Sequence, residues 1–417
     1  KIAGKHAENM ARVGKLVAVC DVVKEKREDF AARYGANAYE TIEELLQEEN
    51  EVDVVSICTP NGLHAEHTIK SLQARKHVLC EKPLCLTTAA AWQIIETEKF
   101  CRRKLVVVKS TRYNPLLQEL KKAIQEKSLG RIYSFQLSCI WNRPDAYYQD
   151  WKGKLFPDGG TLYTQFSHYI DALLWLLGDV EEVKGFKNNA AHTSSIEFED
   201  TGVAALRMQN GTLGNLHWSV NSFRKNHEIA LTLVAEKGTI RLGGEYLNEV
   251  QYSETEVSLP FLRPQKGANE YEQYKGSMSH HREVYDHLLQ LLDNNDQSFP
   301  GAYDGLKTVE TIEKIYKAIS WRLKHIYFTV TNDLLFDQRM HRICTTLTKA
   351  GYRVTLVGRE WPTSRPLHKE AFEQIRLCCF FNKGFLFYTE YNIRLFFFLL
   401  AQKPSAICAI DLDTILP

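Results

Sequence analysis

Short apolar runs alternate with helix-like segments along the first 110 residues. Four runs, at residues 16–21, 52–58, 77–80 and 105–108, lack the strict alternation of a half-exposed strand. Helix-like spacing of apolar residues fills the intervals, for example at 25–34, 42–49 and 65–74. Strands that are buried on both faces and joined by helices are typical of a parallel sheet. The pattern therefore predicts an α/β domain with a Rossmann-like parallel sheet over residues 1–114.

Residues 115–320 follow a different pattern. A helix is predicted at 116–127, a long strand at 132–141, and a second helix from Gly159-Gly160 to about Gly178. Asn210-Gly211 separates two strand-like runs, which is a strong hairpin signal, and Lys237-Gly238 separates another two. Two helices, at 280–292 and 305–319, end the segment. We predict an α+β substrate domain here, with a largely antiparallel sheet.

The pattern starts again at about residue 321. A strand at 325–330, a helix at 338–350 and a strand at 352–357 predict a new β–α–β unit. We therefore place a third segment at residues 321–417.

Composition excludes several classes of protein. The 52 basic and 51 acidic side chains give a net charge of +1, so no general field attracts nucleic acid. The ten cysteines include no Cys-x-x-Cys pair and no zinc spacing, and we predict no metal site. The apolar run at 395–401 is far shorter than the ~20 residues of a membrane helix. These features predict a cytoplasmic protein without a membrane span.

Two residues near the amino end suit a dinucleotide. Asp21 ends a predicted strand, where an acidic side chain either binds a ribose hydroxyl or caps a turn. Ala3 fits the third position of Gly-x-Gly-x-x-Gly/Ala, so the first two glycines would precede Lys1. We expect an amino-terminally truncated domain that lacks its first strand and phosphate loop. Asp21 would repel a 2′-phosphate, which favours NAD over NADP.

Three short motifs in a fixed order are more specific. They are Thr59-Pro60-Asn61-x-x-His64, Glu81-Lys82-Pro83 and Gly159-Gly160-Thr161, the last followed by Ser167-His168-x-x-Asp171. With this spacing, residues 1 to about 320 resemble the glucose–fructose oxidoreductase, inositol dehydrogenase and MocA family. Trp151-x-Gly153 and Thr164-Gln165 resemble the branch of UDP-N-acetylglucosaminuronate 3-dehydrogenases. Many other members carry an aspartate where this chain has Thr164.

The resemblance implies an NAD-dependent oxidation of a sugar hydroxyl that is carried out with two catalytic residues. Lys82 would stabilise the developing alkoxide, and His168 would act as the base, because an imidazole titrates near neutrality. Cofactor contacts are expected from Ala3, Asp21, Thr59, Pro60, Asn61, His64, Glu81, Lys82 and Arg112, although Arg112 is equally well placed as an exposed basic residue. Substrate contacts are expected from Trp151, Thr164, Gln165 and His168.

The carboxyl-terminal segment resembles part of another enzyme. Residues 324–360, with Thr331-Asn332-Asp333 and Gly351-Tyr352, resemble the first lobe of a two-lobed, group-1 glycosyltransferase, and 409–414 extend the likeness. Because no second lobe is present, we expect no glycosyl transfer by this chain. The leading hypothesis is thus a nucleotide-sugar dehydrogenase of surface-polysaccharide (lipopolysaccharide or O-antigen) synthesis, and a homo-oligomer. The alternatives are a glycosyltransferase-associated fusion and a scaffold with an inactive oxidoreductase-like module.

Overall fold

The chain forms two compact units, residues Lys1–Ser320 and Trp321–Pro417. A computed structural model describes residues 2–261, 268–271, 274–278, 280–294, 299–319, 325–350, 352–402 and 404–410. The predicted boundary at 320–321 and the predicted motif residues 411–414 lie outside the described residues.

The first part of the first unit alternates helices and parallel strands, as the pattern predicts. Its elements are α1 (Ile2–Val13), β1 (Ala18–Cys20), α2 (Lys24–Tyr34), β2 (Asn37–Tyr39), α3 (Ile42–Glu48), β3 (Val54–Ile57), α4 (His64–Gln73), β4 (His77–Cys80), α5 (Thr88–Cys101) and β5 (Leu105–Val107).

These parallel strands fall into two groups. β1 pairs with β2, whereas β3, β4 and β5 form a separate three-stranded sheet in that order. Val78, Leu79 and Cys80 of β4 are completely buried, as expected for a strand covered on both faces.

The second part of this unit is built on a seven-stranded sheet. Its elements are α6 (Pro115–Gln125), β6 (Ile132–Ile140), α7 (Leu155–Asp158), α8 (Ser167–Leu177), β7 (Val180–Asn188), β8 (Thr201–Met208), β9 (Leu213–Ser219), β10 (Glu228–Ala235), β11 (Gly238–Gly243), β12 (Glu249–Thr255), β13 (Ala268–Tyr271), β14 (Tyr274–Met278), α9 (His281–Asn294) and α10 (Ala302–Ile319).

The sheet is antiparallel apart from one pair. Its order is β12-β11-β10-β6-β9-β8-β7, and only β6 and β9 run parallel to one another. Side chains of β8 alternate between buried and exposed, which is the pattern of a sheet with one face on the core. α10 packs against α5, α8 and β7, so one helix joins both parts of the unit.

The glycine pair before α8 is required by close packing. Gly159 and Gly160 have φ angles of 94° and 120°. A Cβ atom would lie 2.4 Å from Leu86 Cδ2 at Gly159 and 2.5 Å from Tyr316 Oη at Gly160. The predicted helix is interrupted here, because Leu162–Phe166 forms a π turn and α8 begins only at Ser167. Such turns are frequent at functional sites.

The second unit contains a four-stranded parallel sheet. β15 (His325–Thr329), α11 (Gln338–Lys349) and β16 (Arg353–Glu360) form the predicted β–α–β unit, followed by β17 (Glu373–Cys378), α12 (Gly384–Gln402) and β18 (Ala406–Ala409). The strand order is β17-β16-β15-β18. Within the described part of the chain, no helix has the length and apolar character needed to cross a bilayer.

Candidate active site

Two loops at the carboxyl edge of the three-stranded sheet carry the predicted cofactor residues. Thr59, Pro60 and Asn61 follow β3, and Lys82 follows the neighbouring strand β4. His64 connects the loops, because its Nδ1 and Nε2 atoms lie 2.6 and 2.8 Å from the carbonyl oxygens of Pro83 and Thr59. Burial lowers the pKa of His64. Both ring nitrogens face protein carbonyls, so His64 positions the loops.

Glu81 is held by two histidines from distant parts of the chain. Its Oε1 atom lies 2.8 Å from His6 Nε2 and 3.2 Å from His281 Nε2, while Oε2 accepts the Lys82 backbone N–H at 3.0 Å. Burial alone would raise the pKa of Glu81, but the hydrogen bonds from His281 and His6 outweigh it and hold that pKa well below its usual range. The carboxylate thereby fixes the backbone at Lys82.

The same three side chains offer ligand atoms within 4.8 Å of one another. Neither His6 nor His281 belongs to the site residues predicted from the sequence. Since the observed separations of 2.8 and 3.2 Å are hydrogen-bond lengths, the three groups already form a closed cluster of charge-assisted contacts.

Lys82 is partly buried and reaches across to the π turn. Its Nζ atom donates to the carbonyl oxygen of Thr164 at 2.7 Å. Burial lowers the pKa of Lys82 to about 8, against the opposing charges of Glu81 and Asp158. A group with this pKa exchanges protons close to neutral pH.

His168 stands in the first turn of α8 and faces the same region. Burial and the nearby charge of Lys82 hold the pKa of His168 well below the near-neutral range expected from the sequence, so the imidazole is neutral. Its Nδ1 atom is buried and has no hydrogen-bond partner among the described residues. The structure thus brings the two predicted catalytic side chains into one electrostatic environment.

The predicted substrate residues occupy different surroundings. Gln165 is buried, accepts from Arg143 Nε at 2.7 Å and donates to the Tyr147 hydroxyl at 2.5 Å. The Thr164 hydroxyl contacts Asn61 Nδ2 at 2.9 Å and the Asp158 carboxylate. Trp151 is half-buried in the loop before α7.

Arg112 and Asp171 form an ionic cluster instead of lining the cleft directly. Arg112 donates to both oxygens of Asp171, at 2.8 and 2.9 Å, and to Asp304 at 2.8 Å. Lys109 lies 2.9 Å from Asp171. Three guanidinium nitrogens are engaged by carboxylates, which favours a structural role for Arg112 over the expected cofactor contact. Asp171, which belongs to the histidine motif, orders the helix and not the imidazole.

The residues expected at the adenosine end are less enclosed. Asp21 Oδ1 accepts the Val23 N–H at 2.9 Å, which is the turn-capping role that the sequence left open. Ala3 lies in the first turn of α1. The ribose role of Asp21 stays a prediction.

Sequence reasoning missed Asp158, Arg143 and Lys109. Asp158 directly precedes the glycine pair, Arg143 follows β6, and Lys109 follows β5. Each is a charged residue at the end of a predicted element, and each is almost completely buried. The signal in the sequence that could have indicated these site residues was a charged residue beside an apolar run.

Comparisons with known proteins agree with this geometry. Residues 1–109 match the NAD-binding Rossmann fold of an oxidoreductase family, and residues 117–241 match the GFO/IDH/MocA carboxyl-terminal domain. The WlbA dehydrogenase from Bordetella pertussis, solved with NADH and UDP-GlcNAcA, is 30% identical, with a TM-score of 0.69 over 76% of this chain and 93% of that chain.

The chain belongs to the Gfo/Idh/MocA oxidoreductase family. Other members similar to it are the inositol 2-dehydrogenase of Rubrobacter xylanophilus, 29% identical over 58% of this chain and 68% of the relative, and the myo-inositol 2-dehydrogenase of Thermotoga maritima, 28% identical over 51% and 64%. The chain therefore spans about two thirds of these curated relatives. The predicted family, enzyme class and cofactor, NAD, are confirmed; the glycosyltransferase likeness of the second unit stays a prediction.

In a doubly wound sheet a dinucleotide binds beyond the carboxyl ends of the strands, and Thr59–Asn61 and Lys82 follow β3 and β4 at that edge. The individual cofactor contacts expected of these residues stay predictions.

Proposed function

We propose that this protein is an NAD-dependent dehydrogenase that oxidises the C3 hydroxyl of a UDP-N-acetyl-hexosaminuronate. The observation that carries the proposal is the position of Lys82, whose ammonium donates at 2.7 Å to the Thr164 carbonyl in the π turn that leads directly into His168. A base and a cation are what alcohol oxidation requires besides a hydride acceptor. The nicotinamide, when bound, supplies that acceptor.

The protein's own groups divide the remaining work. His168 Nδ1 is buried, which leaves Nε2 to take the proton from the substrate hydroxyl. Lys82 donates a hydrogen bond to the same oxygen and stabilises the negative charge that develops there. Glu81 and the Thr164 carbonyl hold Lys82 from its backbone and its side-chain end, at 3.0 and 2.7 Å.

Two observations support a uronate substrate. The solved WlbA dehydrogenases of Bordetella pertussis and Chromobacterium violaceum, each 30% identical, hold UDP-GlcNAcA together with NADH. The Thr164-Gln165 motif also resembles the branch of UDP-N-acetylglucosaminuronate 3-dehydrogenases.

The test is NADH formation with UDP-N-acetylglucosaminuronate, UDP-N-acetylglucosamine and myo-inositol as competing candidates. We expect turnover with the uronate, its loss in Lys82→Ala, and unchanged turnover in Lys184→Ala, whose side chain is 82% exposed. If the protein binds NAD but does not turn over the uronate, the proposed substrate is wrong. Absence of NAD binding would favour the alternative of an inactive scaffold.

We further propose that the enzyme serves surface-polysaccharide synthesis in the cytoplasm as a homo-oligomer. Exposed apolar residues on the large sheet, including Phe186 and Val203, support self-association. Light scattering that reports a monomer would contradict this.

The glycosyltransferase-like role of the second unit is proposed from its cavity. An open cavity of about 760 Å³ lies beside the carboxyl ends of β15 and β16, and is lined by Asn332, Asp333, Asp337, Trp361, Thr363 and Arg365. Polar side chains around one tryptophan suit a sugar. Tryptophan fluorescence that responds to an oligosaccharide, and ceases to respond in Trp361→Phe, would support an acceptor-binding lobe; no response in the unaltered chain would contradict it.

A further inference from the structure

Asp158 is a buried carboxylate in the active site, and no part of the proposed chemistry uses it. It is 1% exposed and ends α7, directly before the glycine pair. Its Oδ2 atom accepts the Gly153 N–H at 2.8 Å, and its Oδ1 atom accepts the Thr164 hydroxyl. Both of these donors are neutral groups.

A short path of contacts joins Asp158 to Lys82. Thr164 presents its hydroxyl to the Asp158 carboxylate and its carbonyl oxygen to the Lys82 ammonium. Asn61 Nδ2 fastens this arrangement by donating to the Asp158 carbonyl at 2.7 Å and to the Thr164 hydroxyl at 2.9 Å. Carboxylate and ammonium therefore lie on two sides of one threonine.

Other charges also face Lys82, and most of them are already balanced. The groups concerned are Glu81 on its own loop, Asp158 after α7, Arg143 after β6, Lys109 after β5, His168 on α8 and His64 on α4. Glu81 is hydrogen-bonded to two histidines, and Lys109 is paired with Asp171. The hydrogen-bond donors of Asp158 are neutral, and the cations whose charges lower its pKa are Lys152 and Lys82.

We propose that Asp158 is a second counter-charge of Lys82 beside Glu81, acting through Thr164 to hold the lysine side chain in place and to keep it cationic. This inference rests on the proposed role of Lys82 in the oxidation. Asp158 is thus a positioning residue that takes no part in the bond changes. Burial raises the pKa of Asp158 to about 6 and lowers that of Lys82 to about 8, so carboxylate and ammonium are both charged between about pH 6 and pH 8.

The experiment measures the Lys82 amine directly. The full chain is labelled with ¹³C-lysine, the Lys82 Cε signal is assigned by its absence in Lys82→Arg, and its pH midpoint is followed by NMR. Asp158→Asn keeps the size and an acceptor but removes the charge. We expect the Lys82 midpoint to fall by about one pH unit, since an opposite charge at short range raises an amine pKa.

Two further variants make the result specific. Asp158→Asn combined with Thr164→Asp returns a carboxylate one side chain away, and should restore the midpoint. Thr164→Val keeps the carbonyl that accepts from Lys82 but removes the hydroxyl that contacts Asp158, and it should also lower the midpoint, which keeps the inference testable if Asp158→Asn does not fold. Asp150→Asn, at an exposed position of the same loop, is the matched control and should leave the midpoint unchanged.

An unchanged Lys82 midpoint in folded Asp158→Asn would overturn the inference, as would a failure of the double variant to restore it. Because the titration needs neither cofactor nor substrate, its outcome is separate from that of the proposed function. If the enzyme proves active, the basic limb of its pH–rate profile should move to lower pH in Asp158→Asn, in step with the NMR midpoint.

Discussion

Replacing Asp171 by asparagine removes the negative centre of a buried ionic cluster in the first unit. Asp171 is 1% exposed and meets Lys109 at 2.9 Å, two Arg112 nitrogens at 2.8 and 2.9 Å, and the Thr308 hydroxyl at 3.1 Å. An asparagine fits the space but turns an N–H₂ group toward a cation. Lys109, itself 3% exposed, is left buried without its counter-charge.

The stability lost in Asp171→Asn can be calculated from the burial of Asp171 and from its lowered pKa. Burial would raise the pKa of Asp171, but Lys109 and Arg112 outweigh it and hold that pKa at about 2. Against an ordinary value of about 3.9, this shift corresponds to about 2–3 kcal/mol. Breaking one side of a buried pair costs about 3–5 kcal/mol, because the remaining charge is uncompensated. We therefore expect Asp171→Asn to lower the free energy of unfolding by about 3–5 kcal/mol.

The assay is urea denaturation of the full chain, followed by tryptophan fluorescence. Asp179→Asn is the matched control, since Asp179 meets Lys307 at 2.8 Å with both side chains about one-third exposed. That surface pair should contribute no more than about 1 kcal/mol. Equal effects of the two substitutions would refute the reasoning.

The pH dependence gives an independent check on Asp171. Because its folded pKa lies below the unfolded value, its contribution is complete above about pH 4 and is lost as the pH falls through about 2. Asp171→Asn should therefore flatten the acid limb of the stability curve. An acid limb that keeps the same slope in the variant would argue against this assignment.

Two further substitutions test the loops of the site. Gly160→Ala would place a Cβ 2.5 Å from Tyr316 Oη at a φ of 120°, and should lower the free energy of unfolding by about 2 kcal/mol or more. Gly211→Ala, in an open turn, should lower it by only about 1 kcal/mol, because it adds backbone strain alone. Equal melting temperatures for the two variants would contradict the packing argument. Glu81→Gln removes the charge that anchors Lys82. In NADH assays it should reduce kcat/KM about tenfold or more while NAD still binds. An unaltered kcat/KM would show that the carboxylate is dispensable.

Local patterns predicted much of the fold. β4 matches its predicted range, 77–80, because an isolated four-residue apolar run between helix and turn signals leaves little choice. The Asn210-Gly211 turn between β8 and β9 was predicted for a similar local reason. β2 was not predicted because Asn37-Ala38-Tyr39 is not an apolar run. The parallel pairing of β6 with β9 depends on tertiary packing, which neither strand's own sequence specifies.

The site was only partly predictable for the same reason. Lys82 and His168 belong to short motifs and could be found, whereas the partners that tune them come from far along the chain. His281 is 200 residues from Glu81, and Lys109 meets Asp171 only through the packing of β5 against the substrate domain. Asp158 contacts Thr164 across the glycine pair, where no periodic pattern exists to reveal it.

The most direct test of the central claim is the fate of one hydrogen atom. UDP-N-acetylglucosaminuronate carrying deuterium at C3 is incubated with the protein and NAD, and the reduced cofactor is analysed by mass spectrometry. The account predicts that the NADH contains deuterium, and that Lys82→Ala forms none. NADH without deuterium would show oxidation at another carbon, and no NADH from a protein that binds NAD and the sugar would contradict the proposed dehydrogenase.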